Sequence, residues 1–232
     1  LRLDPHPDVV VRLSAGLGFR APSFQELLIR FENTGAGYVV VGNPNLRPET
    51  SQNLTASVEW RPTSRLWVSG NVFYNHIDDL ITFGETADAT VFTYVNVASA
   101  RTSGAELSIA FSPLRGLHAE LAYTLHATRD EVLDRPLEAR PSDRISAGLR
   151  YRSARLGLHA QLRASWVGKR PYYEDGGTYF ARPYTLVDAR LAKRIGSHVE
   201  LFAGADNLLN AGELRYNPIA PRSFYLGVTA RY

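Results

Sequence analysis

The chain has 232 residues, of which 44% are hydrophobic and 21% are charged, and its formal net charge is +3 at pH 7. The hydrophobic content excludes a disordered chain, and the lack of cysteine excludes disulfides, thiolate metal sites and thiol nucleophiles. The weak charge, with no Lys/Arg cluster, argues against a nucleic-acid partner. No apolar run is long enough for a transmembrane helix, and no signal peptide is visible.

Apolar and polar residues alternate along most of the chain, which is the pattern of β-strands with two different faces. In 117–128, for example, Leu117, Leu121 and Leu125 lie on one face while His118 and Glu120 lie on the other. In chain order the pattern predicts ten strands, near 9–19, 51–60, 66–77, 98–111, 117–128, 144–152, 156–167, 184–195, 198–207 and 223–232. Most have about nine to twelve residues, which exceeds the globular average and suffices to cross a bilayer when tilted.

The connections between these strands alternate between short and long. The short ones are 61–65, 112–116, 153–155 and 196–197, and the long ones are 20–50, 78–97, 129–143, 168–183 and 208–222. Tight turns therefore lie at one end of the sheet and large loops at the other, as in outer-membrane barrels. In the first long loop, Pro22 and the capping box from Ser23 to Glu26 predict a helical turn over 23–29.

The predicted fold class is all-β. One domain, 1–232, forms about ten strands of an antiparallel transmembrane β-barrel, with short periplasmic turns and long extracellular loops. A soluble sandwich also alternates, but the strand length, the one-sided loops and the charged polar faces favour the membrane barrel. Aromatic residues near strand ends suit the water–lipid interface, and these are Trp60, Trp67, Tyr151, Trp166, Tyr184 and Tyr232. Ten strands could close as a narrow barrel, but a chain that starts and ends in strands favours a piece of a larger wall.

Five sequence motifs, in order, resemble those of TonB-dependent outer-membrane receptors. They are 19–27 paired with 42–51, then 73–81, 96–106, 206–210 and 221–232, so the resemblance covers essentially the whole chain. It implies a plugged barrel of about 22 strands in the Gram-negative outer membrane, of which this chain would be the C-terminal part. The plug domain, the N-terminal strands and the segment that meets the TonB energy complex would lie outside these residues.

The resemblance implies a transport receptor and not an enzyme. Such receptors bind a scarce nutrient at their external loops and import it with energy from the TonB complex, and they need no cofactor or resident metal. We rank an iron–siderophore first, then haem or cobalamin. Haem falls lower because no histidine lies between Arg20 and Asn43, which leaves Tyr38 as an alternative oxygen ligand.

Candidate ligand-binding residues are the aromatic and Arg side chains of the long loops. Aromatic rings stack on flat ligands, and Arg pairs with carboxylate or catecholate oxygens. The candidates are Arg20, Tyr38, Phe83, Tyr94, Arg129, Arg170, Tyr172, Tyr173, Tyr179, Arg215 and Tyr216. We expect a structural role for the boxes around Pro22 and Asn43, because proline stiffens loops and asparagine suits turns.

The last predicted strand resembles the signal that the barrel-assembly machinery recognises. Its apolar residues recur at every second position and end in an aromatic residue, and they are Phe224, Leu226, Val228, Ala230 and Tyr232. Outer-membrane lipid and lipopolysaccharide are the further partners that a barrel implies.

Two other functions stay open at this point. An outer-membrane protease would use an acid/His rim site, for which His126 with Asp130 and Glu131 is the candidate. A passive porin or complete small barrel is the other alternative, although side chains nearly fill so narrow a bore. The order of the motifs favours the receptor over both.

Overall fold

The computed structural model describes residues 1–35, 37–88, 90–174, 176–213 and 215–230. The strands are β1 (Arg2–His6), β2 (Val9–Arg20), β3 (Arg30–Asn33), β4 (Tyr38–Val41), β5 (Glu49–Thr63), β6 (Leu66–Glu85), β7 (Val91–Phe111), β8 (Leu117–Asp130), β9 (Asp143–Ser153), β10 (Leu158–Val167), β11 (Arg170–Glu174), β12 (Gly177–Ala181), β13 (Tyr184–Ile195), β14 (Val199–Asp206) and β15 (Ser223–Ala230). A short helix, α1 (Phe24–Leu28), precedes β3. No helix among these residues is long and apolar enough to span a membrane.

Eleven of the strands form one continuous antiparallel wall. Its order is β1-β2-β5-β6-β7-β8-β9-β10-β13-β14-β15, so each strand lies beside the next one of the wall along the chain. The predicted all-β antiparallel barrel portion is therefore confirmed, and each of the ten predicted strands is present. The wall has one more strand than predicted, β1, which pairs with β2 and contains Pro5 at a register irregularity between Leu3 and His6, where a sheet tolerates proline.

The predicted loop 78–97 is instead a long hairpin. β6 continues to Glu85 and β7 begins at Val91, and the two strands stay paired from Leu80↔Val97 to Glu85↔Phe92. Both faces of this extension carry apolar residues, so the alternation that marks the other strands is lost there. The predicted helical turn is confirmed as α1, with Ser23 and Glu26 forming a complete capping box.

The register places the alternating residues on two continuous faces. One row of neighbours runs Val9, Trp60, Val68, Ile109, Leu121, Ala147, Ala164 and Val187. A row on the other face runs Arg12, Ser57, Asn71, Glu106, Thr124 and Arg144. We call these the outer and the inner face of the wall.

The apolar outer face is not covered by any other part of the described chain. Leu121 is 48% exposed and Leu226 is 87% exposed, and no large side chain is fully buried among the described residues. A water-soluble sandwich would bury these residues together in a core. An exposed apolar sheet face of this extent is typical of a wall that contacts lipid.

Aromatic residues near the strand ends divide between the two faces. Trp60, Tyr151 and Trp166 lie on the outer face, as a position at the water–lipid interface requires. Trp67 and Tyr184 differ from that expectation, because they pair with Ala110 and Val167 on the inner face. Tyr232 lies outside the described residues.

On the inner face, aromatic rings rest on glycines of neighbouring strands. Tyr225 covers Gly204, Phe202 covers Gly227 and Phe73 covers Gly104, so closely that a Cβ at any of these glycines would overlap the ring. The missing side chain thus makes room for a large ring against the sheet backbone.

Candidate functional site

Asparagine side chains tie the external loops to the upper ends of the strands. Asn96 of β7 accepts a hydrogen bond from the backbone N–H of Arg47 (2.8 Å) and donates to the Arg47 carbonyl (3.0 Å). Asn43 donates to the carbonyl of Tyr94 (2.9 Å). Asn207, 4% exposed and in the left-handed region (φ 50°), donates to the carbonyls of Ala211 and Ala220. The motifs that contain these residues therefore have structural roles in this chain.

Arg20 belongs to the same framework. Its guanidinium donates to Glu49 (2.7 Å) at the start of β5 and to Glu26 (3.0 Å) in α1. The Ser23 backbone N–H and then Arg20 hold the pKa of Glu26 below its usual range. Because two carboxylates already occupy Arg20, its evident role is to fix the start of the first loop.

The first loop continues across the β6–β7 hairpin. β4 pairs in parallel with the beginning of β7, from Val39↔Val91 to Val41↔Thr93. β6 occupies one edge of β7 along this stretch, so β4 takes the edge that β8 leaves free. The β3–β4 hairpin thereby widens the β6–β7 hairpin into a small sheet that extends beyond the wall.

This small sheet carries a chain of five aromatic rings, which we call the aromatic strip. Its members are Phe31, Tyr38, Phe92, Phe83 and Tyr94, in contact order, with ring centroids 6.4, 5.9, 5.3 and 5.4 Å apart. The first and the fourth ring are each 49% exposed. Three predicted candidates, Tyr38, Phe83 and Tyr94, are thus brought together.

A second group of candidates meets on the β11–β12 hairpin and the 208–222 loop, and we call it the tyrosine cluster. Its rings are Tyr172, Tyr179 and Tyr216, and its charged pair is Glu174 with Arg215. Tyr172 lies 4.6 Å from Tyr216, centroid to centroid, and opposite Tyr179 in the hairpin register. Glu174 forms an ion pair with Arg215 and accepts a hydrogen bond from the Tyr216 hydroxyl (3.2 Å).

A cavity of about 500 Å³ lies between the aromatic strip and the hairpin that carries the tyrosine cluster. Phe83 and Phe92 line it on one side, and Tyr173 and Glu174 line it on the other. The guanidinium of Arg135, from the 131–142 loop, stacks 3.7 Å above the Tyr173 ring in the wall of this cavity. Aromatic rings, one cation and three carboxylates, those of Asp130, Glu138 and Glu174, therefore converge on an opening of ligand size.

The tyrosines of this region act as hydrogen-bond donors. Partial desolvation raises the pKa of Tyr216, and its hydrogen bond to Glu174 raises that pKa further. Desolvation also raises the pKa of Tyr173, whose hydroxyl donates to the Pro136 carbonyl (2.8 Å). Both phenols stay protonated near neutral pH and act as hydrogen-bond donors to Glu174 and to the Pro136 carbonyl.

The remaining candidates lie apart from the cavity. Arg129 forms an ion pair with Asp134 at the top of β8. Arg170 stacks over the Tyr184 ring, 5.2 Å from its centroid. The sequence analysis missed Phe92 and Arg135, although the alternation of Phe92 with Tyr94 could have drawn attention to the first.

The protease alternative needs His126, Asp130 and Glu131 to act together. In the structure, Asp130 accepts hydrogen bonds from the backbone of Val132 and Leu133, while Glu131 pairs with Arg101 on the outer face. His126 contacts Phe73 on the inner face. Among the described residues no group of three or more His, Asp or Glu side chains could hold a metal ion.

Residues 1–208 match the family model described as TonB dependent receptor-like, beta-barrel. The chain belongs to the TonB-dependent receptor family. This membership confirms the resemblance read from the motifs, and with it the outer-membrane location and the expectation of a receptor that is not an enzyme.

Known relatives agree with this membership. The chain is 27% identical over 218 residues to the "Iron-regulated outer membrane virulence protein" of Vibrio cholerae, covering 86% of this chain and 33% of that one. It is 27% identical over 233 residues to "Vitamin B12 transporter BtuB" of Photobacterium profundum, covering 97% and 36%. The siderophore receptor PirA of Acinetobacter baumannii has the same fold, with a TM-score of 0.77 at 14% identity, covering 99% and 40%. This TonB-dependent receptor chain thus spans about a third of the length of the curated relatives it matches.

Proposed function

We propose that residues 1–232 form the C-terminal part of the barrel wall of a receptor that binds and imports a scarce nutrient. An iron–siderophore is the first candidate, followed by haem and cobalamin. Relatives named for iron regulation and for vitamin B12 transport support this choice of ligand classes. The TonB complex would supply the energy through the N-terminal part of the receptor.

The observation that carries the proposal is the cavity between the aromatic strip and the β11–β12 hairpin. It lies among the long connections, beyond the wall that contacts lipid, and several of the predicted candidate residues line it or contact its lining residues. Phe83 and Tyr173 line the cavity, Tyr94 contacts Phe83, and Arg215 pairs with the lining residue Glu174. Rings and polar groups that converge on one opening suit a compact ligand with a flat part.

Uptake by cells that express the full-length receptor tests this function. The probes are a ferric tris-catecholate, a ferric trihydroxamate, haemin and cyanocobalamin, each supplied at limiting concentration. We expect one of them to accumulate only when both the receptor and a functional TonB complex are present. If none accumulates above the receptor-free control, the proposal is wrong.

The cavity itself is tested by a pair of phenylalanine variants. Phe83→Ala removes a ring that lines the cavity, so binding of the transported probe should weaken by about 3- to 10-fold. Phe24→Ala removes an equally large ring from α1. Phe24 is 84% exposed and does not line the cavity, so affinity should not change. Equal effects of the two variants would contradict this placement of the ligand.

We further propose that β15 presents the signal read by the barrel-assembly machinery. Phe224, Leu226 and Val228 share the exposed outer face of this edge strand, and only one edge of β15 is paired within the described chain. An open edge with alternating apolar side chains suits recognition by strand addition. Leu226→Arg should lower the amount of receptor assembled in the outer membrane, and unchanged assembly would refute this role.

A further inference from the structure

At the long-loop end of the outer face, the apolar residues give way to basic ones. His76 of β6, Arg101 of β7 and Arg129 of β8 are direct neighbours across these strands, and we call them the basic row. Two like charges directly opposite each other, as those of Arg101 and Arg129 are, destabilise a sheet. The basic row therefore favours anions in its surroundings.

Three carboxylates on the loop side of the basic row meet part of this charge. The Nε atom of Arg101 lies 3.4 Å from Glu131, and Arg129 binds Asp134 through Nε and Nη2. The histidine of the row lies 3.4 Å from Asp78 and 3.8 Å from Glu131. Both Nη atoms of Arg101 and the Nη1 atom of Arg129 have no hydrogen-bond acceptor among the described residues. These three nitrogens remain available to an anion from outside the chain.

Two hydroxyl groups lie on the membrane side of the basic row. Tyr74 and Ser103 are directly opposite each other on β6 and β7, two residues closer to the middle of the wall than the basic row. Neither hydroxyl forms a hydrogen bond within the described part of the chain. A hydroxyl at the edge of an apolar face is costly without an acceptor, so one acceptor group at this level would satisfy hydroxyls and guanidinium groups together.

An apolar groove begins beside these donors on the same face. It has a volume of about 430 Å³ and is lined by Ala15, Leu17, Leu54 and Tyr74, with Gln52, a neighbour of the basic row, at its upper end. Such a groove can hold an extended acyl chain, whereas a soluble anion gains nothing from it. The groove and the donors together therefore fit an anionic lipid better than a free anion.

We propose that the basic row, the two hydroxyl groups and the groove bind one lipopolysaccharide molecule. A phosphate of its lipid A part accepts hydrogen bonds from Arg101, Arg129, Tyr74 and Ser103, while an acyl chain lies in the groove. The long loops place this end of the wall in the outer leaflet, where lipid A carries its phosphates directly above its acyl chains. The carboxylates on the loop side hold the guanidinium groups in position and lie farther from the phosphate.

This lipid site is independent of the import function, because it lies on the outer face of the wall and not among the ligand-binding loops or on the inner face. The strands that carry it, β2 and β5 to β8, are paired on both edges along the wall. In a closed barrel the outer face of such strands meets only the bilayer. The partner of the free donors therefore comes from the membrane in the full-length receptor as well.

Native mass spectrometry of the full-length receptor, freed of lipid in a nonionic detergent, tests the site by titration. The probes are bisphosphorylated lipid A, the same lipid A without phosphates, phosphatidylglycerol and inorganic phosphate. One double variant combines Arg101→Gln with Arg129→Gln, and the other combines Tyr74→Phe with Ser103→Ala. The control is Arg61→Gln, which removes an exposed arginine and its ion pair at the short-turn end.

We expect the arginine double variant to bind bisphosphorylated lipid A about tenfold more weakly or worse, since charge-assisted hydrogen bonds are lost. The hydroxyl double variant should lose about two- to fivefold, and Arg61→Gln should bind like the wild type. Lipid A without phosphates should bind weakly and equally to all four proteins. Phosphatidylglycerol should bind the wild type more weakly than lipid A, and inorganic phosphate should not displace lipid A.

Several results would overturn the site. Unchanged lipid A affinity in the arginine double variant is one, and equal wild-type affinity for lipid A with and without phosphates is another. Equally tight binding of phosphatidylglycerol would show a site for any anionic lipid, and displacement by inorganic phosphate would show an adventitious anion only. If the arginine double variant does not assemble, the hydroxyl double variant, which removes no ion pair, decides: unchanged affinity there refutes the site.

Discussion

The outer and inner faces of the wall are built from the same strands, yet their side chains are held in different ways. On the outer face, large apolar residues stand exposed and make few specific contacts within the chain. On the inner face, the side chains form ion pairs such as Arg150 with Glu120, and rings rest on glycines. The outer face therefore demands only apolar character, whereas the inner face depends on particular partners.

A charged residue placed on the outer face should cause the largest loss of barrel stability. Leu121 lies in the middle of the outer residues of β8, so Leu121→Arg should destabilise the assembled barrel by about 2–4 kcal/mol. Unfolding of the full-length receptor in lipid vesicles by denaturant measures this loss.

The matched control for Leu121→Arg is Thr124→Arg on the same strand. Thr124 lies on the inner face between Glu106 and Arg144, one neighbour of each sign, so a new Arg there should cost much less. Leu162→Arg on the outer face of β10 should cost about as much as Leu121→Arg. Equal losses at Leu121 and Thr124 would show that the faces are assigned wrongly.

The glycines of the inner face should give the next largest effect. A Cβ at Gly204 would overlap the Tyr225 ring, so Gly204→Ala should cost about 1–3 kcal/mol as an overpacked contact. Gly16, in β2, has no neighbouring atom within 4 Å of a Cβ position, so Gly16→Ala should be neutral or slightly stabilising. Adding Tyr225→Ala to Gly204→Ala should recover part of the loss in the same unfolding measurement, and no recovery would refute the contact.

The smallest effect on the stability of the whole barrel is expected at Asn207, where the inner face meets the last loop. Asn207→Asp keeps the acceptor for the Ala211 N–H but loses both amide donations, so the carbonyls of Ala211 and Ala220 lose their partner. We expect a loss of about 1–3 kcal/mol confined to this region, with faster amide hydrogen exchange in 208–222 and little change elsewhere. Unchanged exchange in this loop would show that Asn207 does not hold it.

Sequence reasoning succeeded where one face of a strand differs from the other. The period-2 pattern of β8 and β10 appears because lipid-facing and inward positions alternate. Sequence reasoning failed at the β6–β7 extension. There Leu80 and Phe83 both lie against other parts of the protein, so apolar and polar residues no longer alternate along the strand. It also passed over β1, whose five residues include a proline.

The candidate site was predicted less completely than the wall. Composition alone identified the aromatic and Arg residues of the loops, because these side chains are suited to flat or anionic ligands. It could not show that Arg20 is already bound to two glutamates, or that Arg135 stacks on Tyr173. Such partners depend on how the loops fold over one another, and no local pattern encodes that.

The hydrogen bonds between the first loop and β7 have a consequence for assembly. Asn43 and Arg47 bind backbone and side-chain groups that lie 51 and 49 residues further along the chain. The first loop can therefore reach its final position only once β7 has taken its place in the sheet. Until the first loop docks, the edge of β7 that receives β4 remains unpaired, so slow docking of this loop would leave a strand edge open to pairing with another chain.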